Sequence, residues 1–291
     1  MSPAAVVSEN RRRVLTRFAP APTGWLHLGH VLNAEYVWEQ PPSREPGEQR
    51  RVILRIEDHD RERCRPEYEA AILEDLAWLG YVPDFPPVRQ SDREAIYHRA
   101  ATTLIERGLV YACDCTRRQI EEQRSTGDIA ATSELVYAGR CRERHLPIAD
   151  DVGWRVRMDP GVETFDDRLL GPQVQDPARQ CGDVLIRDRL GNWTYQFAAS
   201  VDDFDQGIDL VIRGVDLLAS TGRQIRIARL LGRERPATFM HHPLLMKSPT
   251  QKLSKSDGDT GVRDLRAQGL TPAQVKAAAR GASQALSDGD A

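Results

Sequence analysis

The 291-residue sequence lacks any long apolar run. Nowhere do about 18 apolar residues follow one another, which is the length at which a helix becomes a candidate membrane span. The first residues also lack the apolar segment of a secretory signal peptide. We therefore expect a cytoplasmic protein without membrane contact.

Cysteine is scarce and unevenly placed. Five cysteines are an odd number for a disulfide framework. Cys113, Cys115 and Cys141 form a group, whereas Cys64 and Cys181 stand apart. The group indicates a metal site, and the two separate residues indicate ordinary buried thiols.

An excess of charge of one sign is also missing. Acidic residues number 43 and basic residues 40, which gives a formal net charge of −3. The overall charge therefore does not indicate a nucleic-acid partner, although a local basic face is compatible with it. Evidence for a function has to come from motifs.

Strand and helix signals alternate along the chain. Apolar residues at helical spacing follow the turn from Pro20 to Gly24, and a second helix is expected from Pro66 to a stop at Gly80. Strand signals cover residues 14–19, 52–56, 184–187, 193–195 and 210–213. The alternation predicts an α/β fold with a parallel sheet covered on both faces, in which ligands collect at the carboxyl ends of the strands.

Clustered cysteines and arginines interrupt this pattern from about residue 109 to residue 150, which we interpret as an inserted small module. Residues 1–108 and 151–265 are then two halves of one larger domain. Residues 266–291 are predicted to form a C-terminal helix and tail.

The most specific motif is PAPTGWLHLGH, from Pro20 to His30. His27 and His30 lie three positions apart at a predicted helix start, so they project from one face. Gly29 allows a flat ligand to approach the backbone closely. Two histidines at this spacing are often merely solvent-facing, but the preceding PAPTG turn favours a pair that donates hydrogen bonds to phosphate or ribose oxygens.

A second motif, KLSKS, begins at Lys252 and is predicted to form a loop. Its two lysines, Lys252 and Lys255, and its two hydroxyls, Ser254 and Ser256, lie close together and can neutralise the charge that builds up on a leaving pyrophosphate. The pattern is weak by itself and becomes specific when an H-x-G-H element precedes it far upstream.

The two motifs resemble the HIGH and KMSKS signatures of class I aminoacyl-tRNA synthetases. Three further segments, RFAPAPTG from Arg17, RIED from Arg55 and IRGVD from Ile212, are similar to the glutamyl-tRNA synthetase pattern. The resemblance implies a Rossmann-like catalytic domain that uses ATP with Mg²⁺, and catalysis by His27, His30 and Lys255. The ATP-binding residues that it implies are His27, Gly29, His30, Lys252, Ser254 and Lys255.

Glutamate has two carboxylates and one ammonium group, so its pocket needs cations and an acidic group. Arg17 and Arg213 can each pair with a carboxylate, and Glu57 can accept hydrogen bonds from the ammonium. The resemblance adds Tyr195 to this pocket. The other pocket residues that it implies are Phe18, Ala19, Pro20 and Ala21.

Ala21 departs from the pattern, because the family often has serine there. If the serine hydroxyl binds glutamate, its loss weakens binding by about 1 kcal/mol. If only the backbone binds, the change has no effect.

The sequence offers two candidates for a fourth zinc ligand beside the grouped cysteines. Chemistry alone adds His145, which gives a Cys₃His set suited to tetrahedral zinc. The chain also resembles the glutamyl-Q tRNA(Asp) synthetases, shortened paralogues of glutamyl-tRNA synthetase with a C-x-C…Y-x-x-x-C pattern. That resemblance implies Tyr137 beside Cys113, Cys115 and Cys141, and we favour it.

Little sequence follows the KLSKS motif, where a full glutamyl-tRNA synthetase has a helical anticodon-binding region. The resemblance to the shortened paralogues implies tRNA-independent activation of L-glutamate by ATP, followed by transfer to queuosine at the wobble position of tRNA(Asp). We expect a monomer. The alternatives are a minimal glutamyl-tRNA synthetase that charges the 3′ end of tRNA(Glu), a small-molecule adenylyltransferase, and a non-catalytic tRNA-binding protein.

Overall fold

The computed structural model describes residues 12–38, 48–60, 62–124, 136–248, 251–252 and 261–287. Ser254 and Lys255 lie outside these ranges, and only the backbone of Lys252 is described. Within the described ranges, no helix combines the length and the apolar character that crossing a membrane requires.

Strands and helices alternate through most of the chain. The strands are β1 (Arg12–Phe18), β2 (Glu48–Ile56), β3 (Val88–Arg89), β4 (Val110–Cys113), β5 (Gly153–Val156), β6 (Glu163–Asp167), β7 (Gly171–Gln175), β8 (Val184–Arg187), β9 (Leu210–Gly214), β10 (Thr238–His242), β11 (Met246–Ser248) and β12 (Gln251–Lys252). The α-helices are α1 (Leu28–Trp38), α2 (Pro66–Leu79), α3 (Glu94–Glu106), α4 (Arg117–Arg124), α5 (Pro177–Gln180), α6 (Tyr195–Asp205), α7 (Thr221–Leu230), α8 (Val262–Ala267) and α9 (Pro272–Ser287). Short 3₁₀ helices cover Gln90–Arg93 and Val215–Ser220.

The central sheet has seven strands in the order β3-β2-β1-β9-β10-β6-β7. All neighbouring pairs are parallel except β6 with β7. From β1 the chain continues to β2 and β3 on one side, whereas β9 is followed by β10 on the other side. Strand order therefore reverses between β1 and β9, where an open parallel sheet forms its ligand crevice. The predicted α/β fold with a parallel sheet is confirmed.

A smaller antiparallel sheet has the order β4-β5-β8. Its first strand lies in the segment 109–150 that we interpreted as an insertion, and its other strands lie beyond residue 150. The division of the chain into four regions stays a prediction.

Helix α2 shows how the sequence determines an element of the fold. Pro66 occupies its first turn, where the missing amide hydrogen has no intrahelical partner to lose. Ile72, Leu76 and Leu79 are buried against the sheet. Gly80 ends the helix with a φ of 81°, a left-handed conformation that favours glycine. The predicted start and stop of this helix are confirmed.

The strand predicted at residues 193–195 is wrong. Trp193 forms only a single bridge with Arg187, and Tyr195 is the first residue of α6. The hydroxyl of Thr194 donates to the carbonyl of Leu185 at 2.7 Å, which anchors the helix start to β8. The apolar and aromatic residues of this segment therefore belong to a turn and a helix start.

Helix α9 packs against α1 through a buried ionic cluster. Glu35 of α1 is fully buried, and its carboxylate accepts hydrogen bonds from the Tyr81 hydroxyl and from Arg280 of α9. Lys276 of α9 places its Nζ 4.0 Å from the same carboxylate. A buried carboxylate needs such partners because its desolvation is costly. Helix α9 thus completes the surroundings of the helix that carries His30.

Candidate active site

A cleft of about 390 Å³ opens at the carboxyl ends of β1 and β9. The residues predicted to contact glutamate all line it: Arg17, Phe18, Ala19, Pro20, Ala21, Glu57, Tyr195 and Arg213. Of the two motif histidines, His30 also lines this cleft. Four lining residues were not predicted from the sequence: Asn33, Ile212, Gly214 and Leu217. The switch point of the sheet thus brings together side chains that lie far apart in the sequence.

Arg17 is held by an ion pair at the end of β1. Its Nε donates to Asp203 Oδ1 at 3.0 Å, and its Nη1 donates to the carbonyl of Ile212 at 3.1 Å. Asp203 also accepts from Arg55 at 2.7 Å. Burial alone would raise the pKa of Asp203, but Arg17 and Arg55 outweigh it and lower the pKa to about 2. Asp203 therefore stays ionised and fixes Arg17 toward the cleft.

Arg213, at the end of β9, is held by neutral groups. Its Nε donates to His241 Nε2 at 3.1 Å, its Nη1 to Gln224 Oε1 at 2.6 Å and its Nη2 to Thr221 Oγ1 at 2.8 Å. Tyr195 lines the same cleft as this guanidinium. Burial lowers the pKa of Arg213, as does the nearby charge of Arg17. These contacts orient the guanidinium while its positive charge remains available to a ligand.

Glu57 and Tyr195 supply the acidic and phenolic groups of the cleft. Burial raises the pKa of Glu57, although Arg55, Arg17 and His59 act in the opposite direction. Arg55 Nη2 lies 3.3 Å from Glu57 Oε1. Burial, reinforced by the charge of Glu57, raises the pKa of Tyr195, so the phenol keeps its proton. A carboxylate and two guanidinium groups can together bind an ammonium group and carboxylates of one small ligand.

The motif histidines interlock at the start of α1. The His27 amide donates to His30 Nδ1 at 3.1 Å, and the Gly29 amide donates to His27 Nδ1 at 3.0 Å. Because both Nδ1 atoms accept, each neutral ring carries its hydrogen on Nε2 and can donate it to a ligand. A Cβ on residue 29 would lie 2.8 Å from His27 Cε1, so a larger residue here would displace the His27 ring.

The segment after the KLSKS motif returns to the histidines. Strands β11 and β12 form an antiparallel pair that ends at Lys252. Gly261 forms an isolated bridge with His27, and the Val262 amide donates to the Leu26 carbonyl at 2.8 Å. The residues that follow the KLSKS motif thus lie beside the H-x-G-H motif. The roles of Ser254 and Lys255 stay predictions, since both residues lie outside the described ranges.

The grouped cysteines converge at the end of β4. The Sγ atoms of Cys113, Cys115 and Cys141 all lie within 4.8 Å of one another, and those of Cys115 and Cys141 are 3.5 Å apart. Zn–S bonds of about 2.3 Å in tetrahedral geometry require sulfur atoms about 3.8 Å apart. The spacing therefore fits three ligands of one metal ion.

Tyr137 lies directly against these thiols. Its Oη is 3.4 Å from Cys113 Sγ and 3.8 Å from Cys115 Sγ, and it accepts the Cys141 amide hydrogen at 2.9 Å. His145 is exposed and lies outside the group of mutually close ligand atoms. The geometry favours Tyr137 over His145 as the fourth ligand, and the complete ligand set stays a prediction.

Two arginines beside the thiols were not predicted from the sequence. Arg155 donates to Cys113 Sγ at 3.3 Å, and its guanidinium lies 3.8 Å from the centre of the Tyr137 ring. Arg144 donates to Cys141 Sγ at 3.3 Å. Burial would raise the pKa of Cys113, but Tyr137 and Arg155 outweigh it and lower the pKa, which favours the thiolate that binds metal.

A protein-family model described as tRNA synthetases class I (E and Q), catalytic domain, matches residues 13–280. The chain belongs to this family. The match confirms the resemblance to class I aminoacyl-tRNA synthetases and assigns the chain to the ligases of that type.

Synthetases of the shortened type are among its relatives. The glutamyl-Q tRNA(Asp) synthetase of Bordetella bronchiseptica is 44% identical over 251 residues, which are 86% of this chain and 77% of that protein. Its counterpart in Rhodobacter capsulatus is 36% identical over 278 residues, 90% of this chain and 98% of that protein. Glutamate--tRNA ligase 2 of Halorhodospira halophila is 39% identical over 264 residues, 89% and 54% of the two chains. The narrower resemblance is thereby confirmed.

Solved synthetase structures share the fold. The crystal structure of the glutamate-tRNA synthetase from Elizabethkingia anophelis matches 85% of this chain with a TM-score of 0.69 and 30% sequence identity. The match covers 53% of that structure's chain, so this protein spans about half its length. The likeness confirms the fold of a class I synthetase catalytic domain.

Proposed function

We propose that this synthetase activates L-glutamate with ATP and transfers the glutamyl group to queuosine at the wobble position of tRNA(Asp). One observation carries the proposal: Arg17, Arg213 and Glu57 converge in one cleft of a class I synthetase fold. This set of charges matches a ligand with two carboxylates and one ammonium group. The names of the relatives in Bordetella bronchiseptica and Rhodobacter capsulatus support the acceptor.

The reaction proceeds in two displacements. A carboxylate oxygen of glutamate attacks the α-phosphorus of ATP, and the bond to the β-phosphate breaks to release pyrophosphate. A hydroxyl of the queuosine cyclopentenediol then attacks the carbonyl of the glutamyl-adenylate, forming an ester and releasing AMP. Neither step needs a protein nucleophile, so catalysis rests on orientation and charge stabilisation.

The cleft residues divide this work. Arg17 and Arg213 bind the carboxylates, Glu57 accepts from the ammonium group, and Tyr195 packs beside the substrate. The backbone from Phe18 to Ala21 forms the adjoining wall.

The nucleotide is assigned to the two motifs. ATP enters with Mg²⁺ on its phosphates. His27 and His30 donate to it from Nε2 near Gly29, and Lys252, Ser254 and Lys255 stabilise the departing pyrophosphate. The assignment of the last three residues rests on the sequence motif.

We also propose one structural zinc ion held by Cys113, Cys115, Cys141 and Tyr137. When bound, zinc supplies a cross-link to a segment with few apolar residues of its own. The protein's role is to hold three sulfur atoms and one phenol oxygen at ligand spacing. We propose that the protein acts in the cytoplasm, where its proposed substrates ATP and tRNA(Asp) are present, and that it is a monomer.

An acceptor assay tests the proposal. The protein is incubated with labelled glutamate, ATP and one of three RNAs: tRNA(Asp) with queuosine, tRNA(Asp) without it, or tRNA(Glu). Label that enters only the queuosine-containing tRNA(Asp) supports the proposal. Label at the 3′ end of tRNA(Glu) would make the protein a minimal glutamyl-tRNA synthetase. If glutamate fails to stimulate ATP–pyrophosphate exchange, glutamate activation itself is excluded.

A further inference from the structure

Arg213 belongs to a buried chain of polar side chains that runs from β9 through β10 to the end of β6. Asp167 Oδ2 lies 2.6 Å from His241 Nδ1, and His241 Nε2 lies 3.1 Å from Arg213 Nε. All three residues are buried. We infer that Asp167 and His241 are positioning residues that fix the Arg213 guanidinium for a substrate carboxylate. The inference rests on the proposed glutamate activation and adds two residues to it.

Asp167 determines the tautomer of His241. The carboxylate can only accept, so His241 Nδ1 carries the hydrogen and Nε2 is left as the acceptor for Arg213. Thr221 Oγ1 also lies 3.2 Å from His241 Nε2. An unprotonated Nε2 is therefore the form compatible with its two neighbours.

The carboxylate of Asp167 is itself held rigidly. It accepts the backbone amides of Leu169 and Leu170 at 2.9 and 3.0 Å, and the backbone amide of His241 at 3.1 Å. Burial would raise the pKa of Asp167, but the hydrogen bonds from His241 and from these amides outweigh it and lower the pKa. Asp167 thus remains an acceptor across the neutral range.

The other side of Arg213 is fixed as well. Thr221 and Gln224 accept from its two terminal nitrogens, and Gln224 Nε2 donates to Gln196 Oε1 at 3.0 Å. The ring of Phe239 stacks on His241 at 5.9 Å with an angle of 7°, and Arg213 Cζ lies 5.6 Å from the centre of the same ring. The guanidinium is therefore held in one orientation by neutral partners.

Neutral partners preserve the charge of Arg213 for the substrate. Arg17 forms an ion pair with Asp203, which also pairs with Arg55. In the described part of the chain, no carboxylate lies within ion-pair distance of Arg213. Asp167 acts on Arg213 only through His241. A carboxylate in direct contact would orient the guanidinium equally well, but it would compete with glutamate for the same donors.

The arrangement predicts a dependence on pH. Protonation places a hydrogen on His241 Nε2, opposite the hydrogen on Arg213 Nε, and breaks their contact. The charged groups facing His241 are Asp167 from β6, Arg213 from β9 and Arg17 from β1. Burial and the two arginines oppose protonation, and Asp167 favours it. We expect the KM for glutamate to rise when acid protonates His241.

The test compares His241→Leu, His241→Gln and Asp167→Asn in glutamate-dependent ATP–pyrophosphate exchange. His241→Leu removes the acceptor, so the KM for glutamate should rise about 10- to 100-fold while the KM for ATP stays within about threefold. His241→Gln can donate to Asp167 and accept from Arg213, so it should restore most of the affinity and reduce the acid-dependent rise in KM to the part that comes from Glu57. Asp167→Asn should resemble His241→Leu.

Glu163→Gln is a matched control, because Glu163 is a buried carboxylate on the same strand that pairs with Arg226 and Arg229. It should leave the KM for glutamate unchanged. The inference would be overturned if His241→Leu raised the KM for glutamate and the KM for ATP equally. It would also be overturned if the wild type were active and His241→Leu had an unchanged KM for glutamate. A wild type without glutamate-dependent exchange would overturn the proposed function and this inference with it.

Discussion

The proposed glutamate cleft and the cysteine cluster differ in what holds their side chains in place. In the cleft, each guanidinium has protein partners: Asp203 for Arg17, and Thr221, Gln224 and His241 for Arg213. In the cluster, the three thiols contact mainly one another, Tyr137 and two arginines. The cleft is thus organised by the packing of the sheet, whereas the cluster has the spacing of ligands around an ion. Damage to the first should appear in substrate binding, and damage to the second in metal content.

The largest expected effect concerns the cleft. Arg213→Leu should raise the KM for glutamate at least about 100-fold, because a buried carboxylate without its partner is penalised by about 3–5 kcal/mol. Arg17→Leu should do the same and also lower the free energy of unfolding, since it removes one of the two arginines that pair with the buried Asp203. Exchange kinetics and urea unfolding measure the two effects. Normal glutamate affinity in either variant would refute its place in the pocket.

The second effect concerns the cluster. Cys113→Ala should reduce zinc from about one equivalent to almost none, because three remaining groups cannot complete a closed tetrahedral site. The KM for glutamate should change by less than about threefold, since distant sites act independently. Zinc content by atomic absorption and exchange kinetics provide the measurements. Wild-type protein purified without zinc, in the absence of chelators and oxidants, would contradict the metal assignment.

A smaller effect distinguishes the two candidate fourth ligands. Tyr137→Phe should weaken zinc binding less than the loss of a thiolate does, because it removes a phenol oxygen that contacts the thiols and leaves all three thiols in place. His145→Ala should leave the affinity unchanged, because His145 is exposed and apart from the cluster. Competition with a chromogenic chelator measures both affinities. The reverse pattern would identify His145 as the ligand.

The smallest effect is a pH dependence of folding stability that comes from His242 on β10 and does not involve the cysteine cluster. Burial lowers the pKa of His242 on β10 to about 4, below its value of about 6.5 in an unfolded chain. The folded state therefore favours neutral His242. The contribution of this group to folding stability is fully present above pH about 6.5 and is lost as the pH falls toward 4. Because of this group, the free energy of unfolding of the wild type should fall by about 2 kcal/mol between pH 7 and pH 5. This part of the fall should be missing in His242→Gln. Urea unfolding tests this, and Cys113→Ala should retain the wild-type slope.

Local patterns in the sequence predicted the parts of the cleft that are marked by turns and strand ends. Arg17 and Glu57 each follow a run of buried residues, and His30 belongs to a recognisable motif. Thr221, Gln224 and His241 could not be found in this way. Each is a single polar residue in an otherwise ordinary segment, and its role depends on how β9, β10 and α7 pack together.

The wrong strand at residues 193–195 has a similar cause. Trp193, Thr194 and Tyr195 have high strand propensity, but propensity is a weak guide when tertiary contacts compete. The bond from Thr194 to Leu185 and the packing of Trp193 in the core select a turn and a helix start. Tyr195 nevertheless reaches the cleft, because the first residue of α6 lies beside the end of β9.

The buried Glu35 makes the folding of α1 depend on α9. Its partner Arg280 lies 245 residues away in the sequence. During synthesis, α1 is made early but cannot bury Glu35 with its full set of partners until α9 has left the ribosome. We therefore expect α1, the helix that carries His30, to be among the last elements to become stable. Pulsed hydrogen exchange during refolding should show the amides of α1 and α9 gaining protection together.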